Sequence, residues 1–221
     1  MYKKDAFKKL DAKYNTHLYT GLLGYAMRYS HRQLEKFNGK KKYSKVLEIG
    51  AGSAPHIDYL KHDYDEYFIA ETSSHALEFY KGMKNIKAHS YDGVNLPFDD
   101  NFFDRIIISQ CLEHVNEPEK FLFEMMSKLK EGGVLSISLP TDPGLLWRLG
   151  RLFIKYFIVN RTYNVSKEEY EYINATEHIN SIFNLISLIR YNFKNQIDES
   201  FLPFKIKLVD MNLFYNVHTV K

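Results

Sequence analysis

The chain is 221 residues long, enough for one substantial core and with nothing in its length that forces a second domain. Its 30 basic and 27 acidic side chains leave a net charge of only +3, which excludes the dense basic field that nonspecific nucleic-acid binding needs. Cys111 stands alone, so no internal disulfide forms, and no apolar run has the length of a bilayer span or the layout of a secretion signal; a reducing, cytoplasmic setting is expected.

In chain order, residues 3–37 carry helical spacing of apolar groups at Phe7, Leu10, Tyr14 and Leu18, then at Leu22, Leu23, Tyr25 and Ala26. Gly21 and Gly24 interrupt the pattern, which predicts two helices. A polar break at 38–42 precedes strands predicted at 45–49, 67–71, 86–89, 105–109 and 134–139, with spacers long enough for crossover helices. Pro118 opens one of those helices, expected to run to about Lys130 with Gly132 and Gly133 as its stop. The stretch 140–204 is longer than one crossover helix needs and is expected to form a helical cap, with a capping box at Ser166–Glu169 and a helical pattern from Glu177 to about Phe193. Two closing strands are predicted at 205–211 and 213–220. The expected organisation is a single α/β domain with a doubly wound, mostly parallel sheet: N-terminal helices over 1–40, a core over 45–140, a cap over 141–204 and a β-hairpin over 205–221.

The first strand, Val46-Leu47-Glu48-Ile49, runs into Gly50-Ala51-Gly52-Ser53-Ala54-Pro55. Gly50 and Gly52 let the backbone turn with positive φ and approach a ligand closely. A dinucleotide loop of the form G-x-G-x-x-G would place glycine at 55; proline stands there, lacks an N–H, and counts against NAD. The second strand ends on Glu71, 21 positions after Gly50, near the offset of ~20 at which a carboxylate reaches a ribose diol. Asp92-Gly93 before Leu96-Pro97-Phe98, Phe103-Asp104, Leu112-Glu113-His114-Val115 and Lys130-Glu131-Gly132-Gly133-Val134 follow in order. Over 45–140 this succession resembles the class I S-adenosylmethionine-dependent methyltransferases.

The resemblance implies a Rossmann-like seven-stranded fold that binds S-adenosyl-L-methionine and releases S-adenosyl-L-homocysteine. It places the cofactor on Glu48, Gly50, Ala51, Gly52, Ala54, Glu71, Thr72, Asp92, Gly93 and Gln110. Glu71 would hold the ribose, Asp92 the adenine side and Glu48 the methionine end, with Ala54 standing where the family has a third glycine.

Methyl transfer from a sulfonium is an in-line displacement that needs alignment and dryness more than a covalent nucleophile. His114 is a candidate base or, equally, part of the pocket wall; His178 is a second candidate, otherwise a histidine at a helix start. Asp142, after the fifth strand, reads as an acceptor contact or catalytic carboxylate, or as plain turn chemistry. Arg148, Arg151 and Lys155 share a helical stripe, which suggests an anionic acceptor held by Arg148 and Arg151, a solvated face, or a helix lying on a membrane. No histidine or cysteine spacing points to a protein-held metal. The expected function is O-methylation of a phosphorylated, nucleotide-linked or sugar-bearing small molecule. The rivals are a membrane-associated lipid or quinone-type methyltransferase and a partner subunit that kept the fold and lost turnover.

Overall fold

The computed structural model describes residues 19, 21–52, 55–163, 165–194 and 196–221, with the side chains of 22, 23 and 160–163 left aside. Seven strands form one sheet: β1 (Lys42–Ile49), β2 (Asp63–Glu71), β3 (Ile86–Ser90), β4 (Phe103–Ser109), β5 (Leu129–Pro140), β6 (Ile197–Leu202) and β7 (Phe214–Val220). Their order is β3-β2-β1-β4-β5-β7-β6, parallel throughout except for β7, which runs antiparallel to both β5 and β6. The chain winds outward from β1 through β2 to β3, then returns to β4 on the other side of β1. The carboxyl ends of β1 and β4 therefore flank a crevice, the place where open α/β sheets bind ligands.

Alternation along β1 sends Val46 to one face and Leu47 and Ile49 to the other. Helix α1 (Gly21–Leu34) covers the first face through Leu34, with Tyr43, Tyr67 and Ile107 beneath it. The opposite face is closed by α3 (Pro118–Lys128), through Phe121, Leu122 and Met125, and by α6 (Ile182–Asn192), through Leu185, Ile186 and Ile189. Pro118 sits in the first turn of α3, where its missing N–H costs nothing. Between β2 and β3 lies the short α2 (Ser74–Phe79).

Several boundaries differ from the sequence reading. The first predicted N-terminal helix falls outside the described residues. Helix α3 ends at Lys128, and the chain passes directly into β5; Gly132, at φ 72°, serves the strand and not a helix stop. The hairpin partner of β7 is Ile197–Leu202, not 205–211, which forms a turn and a short 3-10 segment over Val209–Met211. The cap is correspondingly smaller: α4 (Leu145–Phe153) continues as a π-helix (Ile154–Tyr163), then α5 (Lys167–Glu177) follows behind the predicted capping box of Ser166 and Glu169. The pattern from Glu177 to Phe193 breaks after Glu177, because Ser181 caps a new helix with its Oγ accepting from Asn184 N.

Beneath α1 lies a buried polar network that the sequence pattern does not reveal. Arg105, fully buried, donates to both oxygens of Glu35 at 2.7 and 3.2 Å, to His62 Nε2 at 2.6 Å and to Ser136 Oγ at 3.2 Å. Its guanidinium also stacks 4.7 Å from the Phe37 ring. His56 Nε2–H donates to Glu35 Oε1 at 2.8 Å, since a carboxylate only accepts, and its other nitrogen takes a 2.8 Å hydrogen bond from His31 Nδ1–H. His31 in turn accepts from the Tyr19 hydroxyl at 2.9 Å. Burial holds His31 and His218 down at about 3, so both imidazoles stay neutral.

Candidate active site

A cavity of about 490 Å³ opens at the carboxyl ends of β1, β2 and β4, within the ~300–1,000 Å³ span of small-molecule sites. Gly50, Glu71, Thr72, Asp92, Gly93 and Gln110 line it on the side where the cofactor contacts are expected. Gly50 lies at φ 66°, and a Cβ there would stand 2.7 Å from Cys111 Sγ, so only glycine fits between the turn and its neighbour. Gly93, at φ 87°, leaves bare backbone on the opposite wall. Gln110, also at positive φ (54°), is anchored by its N–H to Ser138 O at 2.9 Å.

Glu71 is the pivot of this wall. Its carboxylate accepts from Gly52 N at 3.1 Å, Thr72 N at 2.8 Å and Ser73 N at 3.1 Å, which ties the glycine turn to the end of β2. A carboxylate has about four lone-pair directions, so capacity remains for a diol. Asp92 accepts from Val94 N and Asn95 N at 2.8 and 2.7 Å; these bonds, the Asn95 N–H first, hold its carboxyl below the usual range. Glu48 is placed differently from its expected role. It is buried behind the turn, accepts from His56 N and from the Tyr67 hydroxyl at 2.7 Å each, and does not line the cavity; burial pushes its carboxyl up to about 7. Ala51 and Gly52 also lie off the cavity wall, and Ala54 lies outside the described residues. Tyr91, directly before Asp92, lines the wall without having been singled out by sequence.

The bare glycine backbone, the carboxylate aimed at one end and the cavity size together fit an adenosyl cofactor. Glu71→Ala is expected to weaken S-adenosylmethionine binding by about tenfold to a hundredfold, the worth of one or two charged hydrogen bonds together with the freed turn. Calorimetric titration of both proteins reads this directly, and an unchanged affinity would remove Glu71 from the site.

At the far end of the cavity stands His114, its side chain 39% exposed. Its Nδ1–H donates to Glu177 O at 2.7 Å, which leaves Nε2 with a free lone pair. Nε2 is 3.8 Å from Oε1 of Glu113, a buried carboxylate whose other oxygen has no partner among the described residues. Burial, partly offset by His114, pushes Glu113 up to about 7. His178 packs edge-on against His114 with ring centres 4.9 Å apart, and its Nδ1 lies 2.7 Å from Asp142 Oδ2, off the line of a hydrogen bond. Arg151 pairs with the same Asp142 oxygen. Asn180 fastens the two segments, donating through Nδ2 to Val115 O at 2.6 Å and through its backbone to Glu113 O at 3.1 Å.

Thus His114, His178 and Asp142, chosen separately from the sequence, are neighbours, and Glu113 is the member that sequence reading passed over. Its signal was available only as the residue preceding His114. Glu113, His114 and His178 each offer a ligand atom within 4.8 Å of the others, a donor set that divalent cations accept, although no spacing in the sequence suggests one. The cluster already holds a cation in Arg151. The predicted basic stripe is not what the structure presents: Arg151 is spent on Asp142 and Lys155 on Glu171, while Arg148 points to solvent.

A methyltransferase-domain family matches residues 47–137. The demethylmenaquinone methyltransferase of Staphylococcus carnosus is 31% identical over 153 residues, 62% of this chain and 61% of that protein. That of a Staphylococcus epidermidis strain is 38% identical over 99 residues, 42% of this chain and 41% of its own length. The chain thus spans about three fifths or less of the length of these curated relatives. Among solved structures, a possible histamine N-methyltransferase from Thermotoga maritima superposes with a TM-score of 0.65 at 20% identity, covering 97% of this chain and 99% of that one. The plantazolicin methyltransferase, solved with a substrate analogue and S-adenosylhomocysteine, gives 0.63 at 16% identity, covering 100% and 91%. The sheet order, the glycine turn and the matched segment agree: residues 47–137 match a methyltransferase domain, and the chain has the fold of the class I S-adenosylmethionine-dependent methyltransferases.

Proposed function

We propose that the protein methylates a small lipophilic molecule bearing a weakly acidic hydroxyl, of the quinol type, with His114 as the base that removes the hydroxyl proton. The observation that carries this reading is the convergence of His114, Glu113, His178 and Asp142 at the end of the cavity that Glu71, Asp92 and the glycine turn define. When bound, S-adenosylmethionine supplies a methyl group on a positively charged sulfur. His114 Nε2 would take the hydroxyl proton as that methyl group passed to the acceptor oxygen and the sulfur kept the electron pair of its carbon–sulfur bond. Glu113 stands 3.8 Å away to stabilise the imidazolium that forms, and the Nδ1–H bond to Glu177 keeps the ring in place. The names of the staphylococcal relatives support a quinone-type acceptor, and the internal pairing of Arg151 and Lys155 argues against a phosphorylated one.

The test is transfer of labelled methyl from S-adenosylmethionine to reduced naphthoquinones and phenols, run beside phosphorylated sugars and nucleotides. Label on the quinol hydroxyl, unaffected by a chelator, is the expected result. Label on the anionic metabolites would overturn the acceptor class, and loss of turnover with chelator would convert the cluster into a metal centre. Cofactor binding with no transfer to any acceptor would favour the partner-subunit reading.

A further inference from the structure

Helix α4 is amphipathic with its apolar side turned outward. Leu145, Leu149, Leu152, Phe153, Tyr156 and Phe157 recur at helical spacing through α4 and into the π-helix, and all are between 43% and 65% exposed. The Phe153 and Phe157 rings lie 5.1 Å apart, tilted at 34°, so the stripe stays on one side where the helix changes pitch. The polar side faces the protein instead: Arg151 reaches Asp142, and Trp147 Nε1–H donates to Leu213 O. The start of α4 abuts the 3-10 turn at Val209–Met211, where Asp210 Oδ1 accepts from Leu145 N at 2.8 Å. There the stripe meets Phe204, Ile206, Leu208 and Met211, each at least 45% exposed. A contiguous apolar surface of this extent in water signals a partner.

We propose that this face, α4 with the 203–211 segment, docks on an anionic lipid bilayer and admits the acceptor from it. The perimeter carries Arg148, Lys205 and Lys207, all exposed, and Arg148 and Lys205 have no acidic side-chain partner among the described residues. A two-fold pairing of copies would set these like charges against themselves, whereas anionic headgroups complement them. The geometry is that of an interfacial helix with its apolar face in the acyl boundary and its cations at headgroup level. No described helix is long and apolar enough to cross a membrane, so attachment would be to one surface. Arg151, on the same helix, touches Asp142 of the acid–base cluster, so the surface lies beside the site. The inference stands on this surface and deepens the lipophilic-acceptor reading.

Flotation with vesicles of phosphatidylcholine alone, or mixed with phosphatidylglycerol, tests it, with S-adenosylmethionine titration of each sample as control. The full chain is expected to float with the anionic vesicles and to be released by salt. Leu149→Ser with Phe153→Ser should lower partition at least about tenfold, since two large side chains no longer enter the bilayer, while cofactor affinity is unchanged. Lys205→Glu with Lys207→Glu should abolish the preference for anionic lipid. A wild type that binds the cofactor yet ignores both vesicles overturns the surface and leaves the proposed chemistry intact. So does a concentration-dependent dimer that the serine variant breaks, which would make the face an interface between copies. Failure to bind the cofactor would instead strike the methyltransferase reading.

Discussion

Arg105→Leu is expected to lower stability by about 3–5 kcal/mol, the cost of leaving a buried charge without its partner. Glu35 would keep its His56 contact but lose both guanidinium bonds, with 1% of its side chain exposed to solvent that could replace them. Burial raises the Glu35 carboxyl, and the His56 and Arg105 hydrogen bonds overcome that and hold it below its ordinary value. A depressed carboxyl stabilises the fold above its unfolded pKa of 4.5, and that contribution is lost as pH falls toward the folded value. The gap between wild type and variant should therefore be widest near neutrality and narrow in acid. Urea unfolding across that range measures it. A loss under about 1 kcal/mol at neutral pH would mean that Glu35 is neutral or hydrated in the fold, against the network described. Pairing Arg105→Leu with Glu35→Leu should restore part of the loss, as a double-mutant cycle would show.

The second large effect concerns turnover. His114→Asn should reduce kcat by about a hundredfold to ten-thousandfold with S-adenosylmethionine affinity retained, the usual contribution of a positioned base. Glu113 acts through His114 and leaves a different signature. Its carboxylate form, the one that stabilises an imidazolium, is populated above about 7 because burial has pushed the group up to that value. Wild-type kcat/KM is thus expected to rise with pH through about 7, and Glu113→Gln should flatten that rise while KM for the cofactor holds. A glutamine variant with the wild-type profile would leave Glu113 a purely structural residue. An asparagine variant at 114 with unchanged kcat would move the base elsewhere, with His178 the next group to test.

The wall of the cavity at the ends of β1 and β2 is legible in sequence because its determinants are local. A strand, a glycine turn and a carboxylate at the end of the next strand are read along a few residues, and Gly50, Glu71 and Asp92 line one cavity. Glu48 shows the limit: its place in the motif is plain, yet its contacts with Tyr67 and His56 depend on how β1 and β2 pair. The hairpin was misplaced for a similar reason. Lys205-Ile206-Lys207-Leu208 alternates polar and apolar groups as a half-buried strand would, Ile197-Asp198-Glu199-Ser200-Phe201-Leu202 does not, and only pairing with β7 makes the second segment the strand.

Sequence alone determined the α/β class, the doubly wound order of the first five strands, the likeness to a methyltransferase domain and two carboxylates, Glu71 and Asp92, that line the cavity, since strand periodicity and turn chemistry act over a few neighbouring residues. Tertiary structure alone decided the rest. It brought His178 to His114 across 64 positions of chain, closed Arg105 onto Glu35 over 70, paired Arg151 with Asp142, and turned the apolar side of α4 outward. Those contacts arise from packing among distant segments, where no local preference names the partner.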